Sequence, residues 1–267
     1  MPQSDRLQDK VILVVGGTTG LGLSAARAMV GAGARVAVLG RNPDHAQDAA
    51  KALGPSGLAV NGDATTPGTI EDAIARTQAK WERLDGLYHV AGGSGRRLGD
   101  GPLHEITDEG WDRTLQWNLT SVFLSNRAVL RHFLEHQQAG SILNMTSVLG
   151  FSPSPAHFST HAYATAKAAI IGLTRSSAAH YAPRNIRINA LAPALVATPM
   201  SERAQGDDAI MDFIRHKQPL DRGRIGQPED LDGAAVFFMS DEARFVTGQV
   251  LAVDGGWSVT DGGGRGD

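Results

Sequence analysis

Seven short, apolar, β-rich runs divide this chain, and helix-like stretches separate most of them. They fall at 11–15, 35–39, 58–61, 86–90, 141–145, 186–191 and 250–253, each bounded by turn residues. Strands that alternate with helices build βαβ units, and such units make a parallel sheet covered on both faces. The first run, VILVV, is apolar throughout, as a strand buried on both sides requires, while 162–179 is alanine-rich with apolar residues at helical spacing. The predicted fold is therefore α/β, a doubly wound parallel sheet in one domain over 1–267. Segments 151–160 and 194–225 are irregular in pattern and read as substrate loops, with Ser152, His157 and Phe158 among the expected lining residues. The glycine-rich end, 261–267, reads as frayed.

Composition removes several classes of function. Formal net charge is only -3 and basic residues form no runs, which argues against nucleic acid or an anionic membrane as partner. No apolar stretch reaches the ~20 residues that span a bilayer, and the opening MPQSDRLQDK has no hydrophobic signal segment, so a cytoplasmic protein is expected. With no cysteine, thiolate nucleophiles, disulfides and sulfur-ligated metals are excluded, and the nine histidines show no metal-binding spacing. The chemistry must come from oxygen, nitrogen or a cofactor, and no metal site is expected.

Directly after the first strand comes Gly16-Gly17-Thr18-Thr19-Gly20-Leu21-Gly22, followed by a helical pattern. Glycines let the backbone take positive φ and approach a ligand closely, and the helix N-terminus behind them offers unpaired N–H groups to a pyrophosphate. The alternative is a tight turn that binds nothing.

The spacing Gly16, Gly20, Gly22 resembles that of the short-chain dehydrogenase/reductase family, and the resemblance runs from Val11 to Trp257. Its most specific element is Tyr163-Ala-Thr-Ala-Lys167, in company with Ser147, with Asn118 in Trp-Asn-Leu-Thr, with Asn-Ile-Arg-Ile-Asn-Ala-Leu-Ala-Pro, and with the ending from Thr247 to Asp254-Gly-Gly. The resemblance implies a Rossmann fold, with a cofactor half over about 8–150 and a catalytic and substrate half over about 151–260, and hydride transfer between a nicotinamide dinucleotide and a small ketone or secondary alcohol. Two other readings stand beside it: a catalytically silent dinucleotide-binding protein on the same fold, and a dehalogenase-like relative. The intact Ser147, Tyr163 and Lys167 set speaks against the first, and the retained glycine loop and lysine against the second.

Under this resemblance Tyr163 is the acid/base, Lys167 lowers its pKa and binds the nicotinamide ribose, Ser147 holds the substrate oxygen, and Asn118 anchors a water that relays protons. Tyr163 and Lys167, four residues apart on a helix, share one face. A free phenol titrates near 10 and must be brought towards neutrality to act as a base. The cofactor residues implied are Gly16, Thr18, Thr19, Gly20, Leu21, Gly22, Arg41, Asp63, Ala64, Ala91, Gly92, Tyr163, Lys167, Pro193, Val196 and Thr198.

Several positions depart from the family pattern. Val15 stands where a loop-bracing threonine is usual, so packing is expected to hold the loop. His89 and Val90 replace two asparagines, leaving His89 either as a hydrogen-bond donor to the cofactor or as a structural histidine. Gly40 replaces the acidic residue that selects NAD, and Arg41 follows it; the sequence leans towards NADP(H), with NAD(H) as the alternative. Asp63 is expected at the adenine edge. The resemblance also implies a homotetramer, with a dimer as runner-up, paired through the helices carrying Asn118 and Tyr163.

Overall fold

Strand β1 (Val11–Val15) is buried at all five positions, which places it mid-sheet with cover on both faces. The computed structural model describes residues 5–262; most of the predicted glycine-rich tail, 263–267, lies outside them. The other strands are β2 (Arg35–Gly40), β3 (Gly57–Asn61), β4 (Gly86–His89), β5 (Gly140–Met145), β6 (Ile186–Pro193) and β7 (Val250–Val253). They form one seven-stranded sheet in the order β3-β2-β1-β4-β5-β6-β7, and every pairing is parallel. The order reverses between β1 and β4, where the crossovers leave a crevice at the strands' carboxyl ends.

Helices α1 (Gly20–Gly31), α2 (Pro43–Leu53), α3 (Thr69–Trp81), α4 (Asp108–Leu115), α5 (Ser121–Glu135) and α6 (His161–Tyr181) cover the sheet. One apolar cluster joins Ile12, Val14, Val36 and Val38 to Ala25, Ala26 and Met29 of α1. The second joins Leu13, Val15, Ala37 and Leu39 to α3 and to Val129 and Phe133 of α5. Neighbouring residues of β1 thus feed opposite clusters, the period-2 alternation of a strand buried on both sides.

Several strand ends shift by a residue or two from the sequence reading, and one segment changes character. Strand β4 stops at His89 because the Val90 and Ala91 N–H groups both turn back to the Val15 carbonyl, at 2.8 and 2.9 Å. Segment 194–225 is not simply a loop: it holds α7 (Glu202–Gln205) and α8 (Asp208–Lys217). Asp207 caps α8 by accepting from the Ile210 N–H at 3.1 Å, and Ile210 and Ile214, one turn apart, bury its inner face.

Among the described residues no helix is long and apolar enough to cross a membrane, and no cluster of acidic, histidine or cysteine side chains is arranged to hold a metal.

Candidate active site

The glycine loop joins the end of β1 to α1 and sits where the sheet order reverses. Gly16 takes φ +81°, and a Cβ on Gly22 would lie 2.0 Å from the Gly16 carbonyl, so α1 can close onto the loop only with glycine there. As expected for Val15, packing and backbone bonds hold the loop: Val15 is fully buried, and Gly16 and Gly17 N–H donate to Leu39 O. Thr19, at the N-cap of α1, makes no side-chain cap bond, and the first turn has no acidic residue. By contrast Asn42, Thr107 and Asp207 each cap the helix that follows them. The first N–H groups of α1 therefore face the crevice without a side-chain partner, which fits a dinucleotide pyrophosphate.

This crevice, about 400 Å³, is lined by Gly16, Thr18, Thr19, Gly20, Leu21, Gly22, Arg41, Asp63, Ala64, Ala91, Gly92 and Thr198. Asn42, His45, Thr65, Ser121 and Met200, absent from the sequence reading, share it with Gly40, Val90 and Trp117. Val196 does not line the crevice; it is buried and bridges to Gly226. Pro193 is also set back, its carbonyl 3.5 Å from Ser147 Oγ. The Arg41 guanidinium lies 4.6 Å above the Trp117 ring and 3.9 Å from an Asp63 carboxylate oxygen, drawn together across the far end of the crevice. A Cβ on Gly40 would stand 2.2 Å from Thr18 Oγ1, so Thr18 fills the space an acidic side chain there would need.

His89 is fully buried under the crevice floor. Its Nδ1 is 2.9 Å from Ser125 Oγ, and its Nε2 is 3.1 Å from Ala91 O and 3.3 Å from Ser121 Oγ. Burial, with the Lys167 charge nearby, pushes its pKa down to about 3. It is a neutral structural histidine bracing α5 against the β4 turn.

A second pocket, about 120 Å³, opens beside the first and shares Met200 with it. Ser147 and Tyr163 are both in its wall. Adjacent Thr146 turns inward instead, its hydroxyl donating to Lys167 O at 2.6 Å. Of the expected lining residues Phe158 is present, but Ser152 and His157 are not. The Ser152 carbonyl accepts from Trp257 Nε1 at 3.1 Å, and the His157 ring packs 4.9 Å from that of Phe213.

Lys167 is buried, with Nζ donating to Met145 O at 3.0 Å and standing 5.4 Å from the Tyr163 ring centre. Burial brings its pKa down to about 8. The surroundings of Tyr163 desolvate its phenol and push the pKa up to about 12, with only the neighbouring Ser147 hydroxyl working the other way. This departs from the expectation that Lys167 lowers it: Nζ is aimed at the Met145 carbonyl, and burial sets the direction of the shift and favours the phenol. Asn118 lies in a π-helical turn (Gln116–Thr120) between α4 and α5. Its Oδ1 accepts from Gly93 N–H at 3.0 Å while Nδ2 donates to Gly93 O and Thr114 O at 3.0 and 2.9 Å. A Cβ on Gly92 would be 2.6 Å from Asn118 Oδ1 and 3.5 Å from Lys167 Nζ, so Asn118 and Lys167 meet at this one glycine.

Comparison with known proteins shows the family to which the chain belongs. The family described as "Enoyl-(Acyl carrier protein) reductase" matches residues 15–258. The chain is 37% identical over 263 residues to 2-(S)-hydroxypropyl-CoM dehydrogenase 3 of Xanthobacter autotrophicus, covering 96% of this chain and 99% of that one. Among solved structures, a short-chain type dehydrogenase/reductase from Mycobacterium ulcerans superposes with a TM-score of 0.85 at 30% identity, over 95% of this chain and 91% of that one. The 3-ketoacyl-(acyl-carrier-protein) reductase of Brucella melitensis, complexed with NADH, gives a TM-score of 0.83 at 29% identity, over 95% and 100%. The chain thus belongs to the short-chain dehydrogenase/reductase family and is an NAD(P)-dependent oxidoreductase.

Proposed function

We propose that this enzyme interconverts a small ketone and its secondary alcohol through Ser147, Tyr163 and Lys167, with NADP(H) as the preferred cofactor and NAD(H) as the alternative. The observation that carries the reading is the convergence of Ser147 and Tyr163 on one pocket, next to a crevice whose helix N-terminus is left uncapped. The nicotinamide, when bound, supplies or takes up the hydride. The α1 N–H groups hold the pyrophosphate, and Arg41 and His45 take the ribose 2′-phosphate at the far end. Lys167 holds the nicotinamide ribose. Ser147 Oγ donates a hydrogen bond to the substrate oxygen, where negative charge grows as the carbonyl is reduced. Tyr163 hands its phenolic proton to that oxygen, and the reverse reaction returns it. Because the phenol is held protonated, the site is set for reduction near neutral pH. Asn118, held to the Gly93 backbone, lies across Gly92 from Lys167 and anchors the water that relays protons to it.

A homotetramer, or failing that a dimer, is part of the same proposal. Exposed Phe123 on α5, and exposed Phe245 and Leu251 at the β7 edge of the sheet, supply two apolar surfaces for it. A monomeric mass by light scattering at micromolar concentration contradicts it. A cytoplasmic location fits an enzyme that draws on the pyridine-nucleotide pool.

Fluorescence titration with NADPH and NADH, followed by a panel of ketones and alcohols, tests the reading. Saturable binding with turnover of at least one ketone is expected; failure of both cofactors to bind overturns it.

A further inference from the structure

Two arginines face the substrate pocket without counter-ions. Arg96, in the turn Arg96–Leu98, and Arg203, on α7, both line the cavity that holds Ser147 and Tyr163. Much of the remaining wall is apolar, including Leu149, Phe158 and Trp257. Arg96 is half-buried and donates from Nη2 to the His157 carbonyl at 3.1 Å. Burial and the positive charge of Arg203 both weaken its hold on its proton, and Asp100 offsets them only in part. The Asp100 carboxylate is already engaged, one oxygen accepting from the Ala162 N–H and the other from the Tyr163 N–H, each at 3.0 Å. Among the described residues no carboxylate lies within ion-pair distance of either Arg96 or Arg203, whereas Arg6 and Arg83 are each held by one and Arg224 by two.

Like charges that converge on one small cavity repel each other, and partial burial of one removes the water that would screen them. An anion between them reverses both effects. A guanidinium also presents a planar fork that matches a carboxylate or sulfonate, and a neutral ligand would leave that fork unused.

We propose that the substrate carries an anionic head group, a carboxylate or a sulfonate, seated between Arg96 and Arg203 while its carbonyl or alcohol carbon faces Ser147 and Tyr163. This deepens the ketone–alcohol reading and rests on it for the position of the reacting carbon. Seating the anion at the arginines also fixes which way round the substrate enters, so the head group orients the carbonyl as well as binding it.

The test pairs keto acids with neutral counterparts of the same shape: 4-oxopentanoate, 5-oxohexanoate and 4-oxocyclohexanecarboxylate, each against its primary amide, with 4-oxopentane-1-sulfonate as a second anion. Binding to the enzyme–NADP⁺ complex is read from quenching of tryptophan fluorescence, since Trp257 lines the pocket, and kcat/KM is read for any compound that turns over. At least one anion should bind ten-fold or more tighter than its amide. That ratio should fall at least ten-fold in Arg96→Gln and also fall in the exposed, fold-neutral variant Arg203→Gln. Tighter carboxylate binding than sulfonate, or the reverse, names the head group. Equal affinity for acid and amide, no saturable binding of any anion, or an unchanged ratio in both variants overturns the proposal. Selective anion binding without hydride transfer would retain the anion site and reject the ketone–alcohol reading instead.

Discussion

Lys167 stands one helical turn from Tyr163, its ammonium 5.4 Å from the ring centre and hydrogen-bonded to the Met145 carbonyl at 3.0 Å. Burial lowers the lysine to about 8 and raises the phenol to about 12. Ketone reduction needs the phenol protonated and the ammonium charged, so its kcat/KM should be flat below pH 8 and decline above it as Lys167 loses its proton. Alcohol oxidation needs the phenol to lose its proton and should still be rising at pH 9. Lys167→Arg, whose guanidinium does not titrate in this range, should move the falling limb of reduction upward, at reduced rate. A profile for Lys167→Arg that falls at the same pH as wild type would remove Lys167 from the titration.

The proposed preference for NADP(H) can be tested at Arg41, Thr18 and Gly40. Arg41→Ala should cost the NADP(H) reaction about 1.5 kcal/mol, the low end for a charge-assisted contact because the side chain is largely exposed, and leave NAD(H) nearly unaffected. Gly40→Asp alone should fail to create an NAD enzyme and should destabilise the fold, since its Cβ would meet Thr18 Oγ1 at 2.2 Å. Adding Thr18→Gly should restore stability and switch preference to NAD(H). Ratios of kcat/KM for the two cofactors check both steps; an equal effect of Arg41→Ala on the two would count against NADP(H).

His89 ties acid stability to the crevice floor. Histidine titrates near 6.5 when unfolded, and here burial holds it at about 3. The fold therefore has its full His89 contribution above pH 6.5 and loses it as pH falls towards 3, by at most about 1.4 kcal/mol per pH unit. Urea unfolding of wild type and His89→Asn at pH 7, 5.5 and 4.5 should give a stability difference that shrinks as pH falls. Parallel pH dependence in the two proteins would show that His89 is not the group that titrates.

Much of the sheet could be read from the chain because β1 is a buried, wholly apolar run and the other strands are short β-rich runs bounded by turn residues; their ends were less clear, because backbone turns such as Val90 N–H to Val15 O set them. The glycine loop was legible for the same reason of contiguity. Arg41 was picked out beside it, but His45 and Trp117 come to the crevice from other elements and leave no local signal. The substrate pocket was least legible. Arg96, Arg203 and Trp257 reach Ser147 and Tyr163 only through the fold, and none of the three belongs to a spacing that names its neighbours. Helix α8 did carry a signal, Asp207 ahead of Ile210, Phe213 and Ile214, but Gly206 and Pro219 around it read as loop.

The most direct test of the account is single-turnover hydride transfer in Tyr163→Phe. It is followed by NADPH absorbance with the ketone that wild type reduces best, alongside a fluorescence titration of NADPH. The substitution removes only the oxygen that delivers the proton, so hydride transfer should fall to less than about one per cent of wild type, a loss of roughly 3 kcal/mol or more of transition-state stabilisation, with the NADPH dissociation constant nearly unchanged. Retention of more than a few per cent of the wild-type rate would contradict the assignment of Tyr163 as the proton donor.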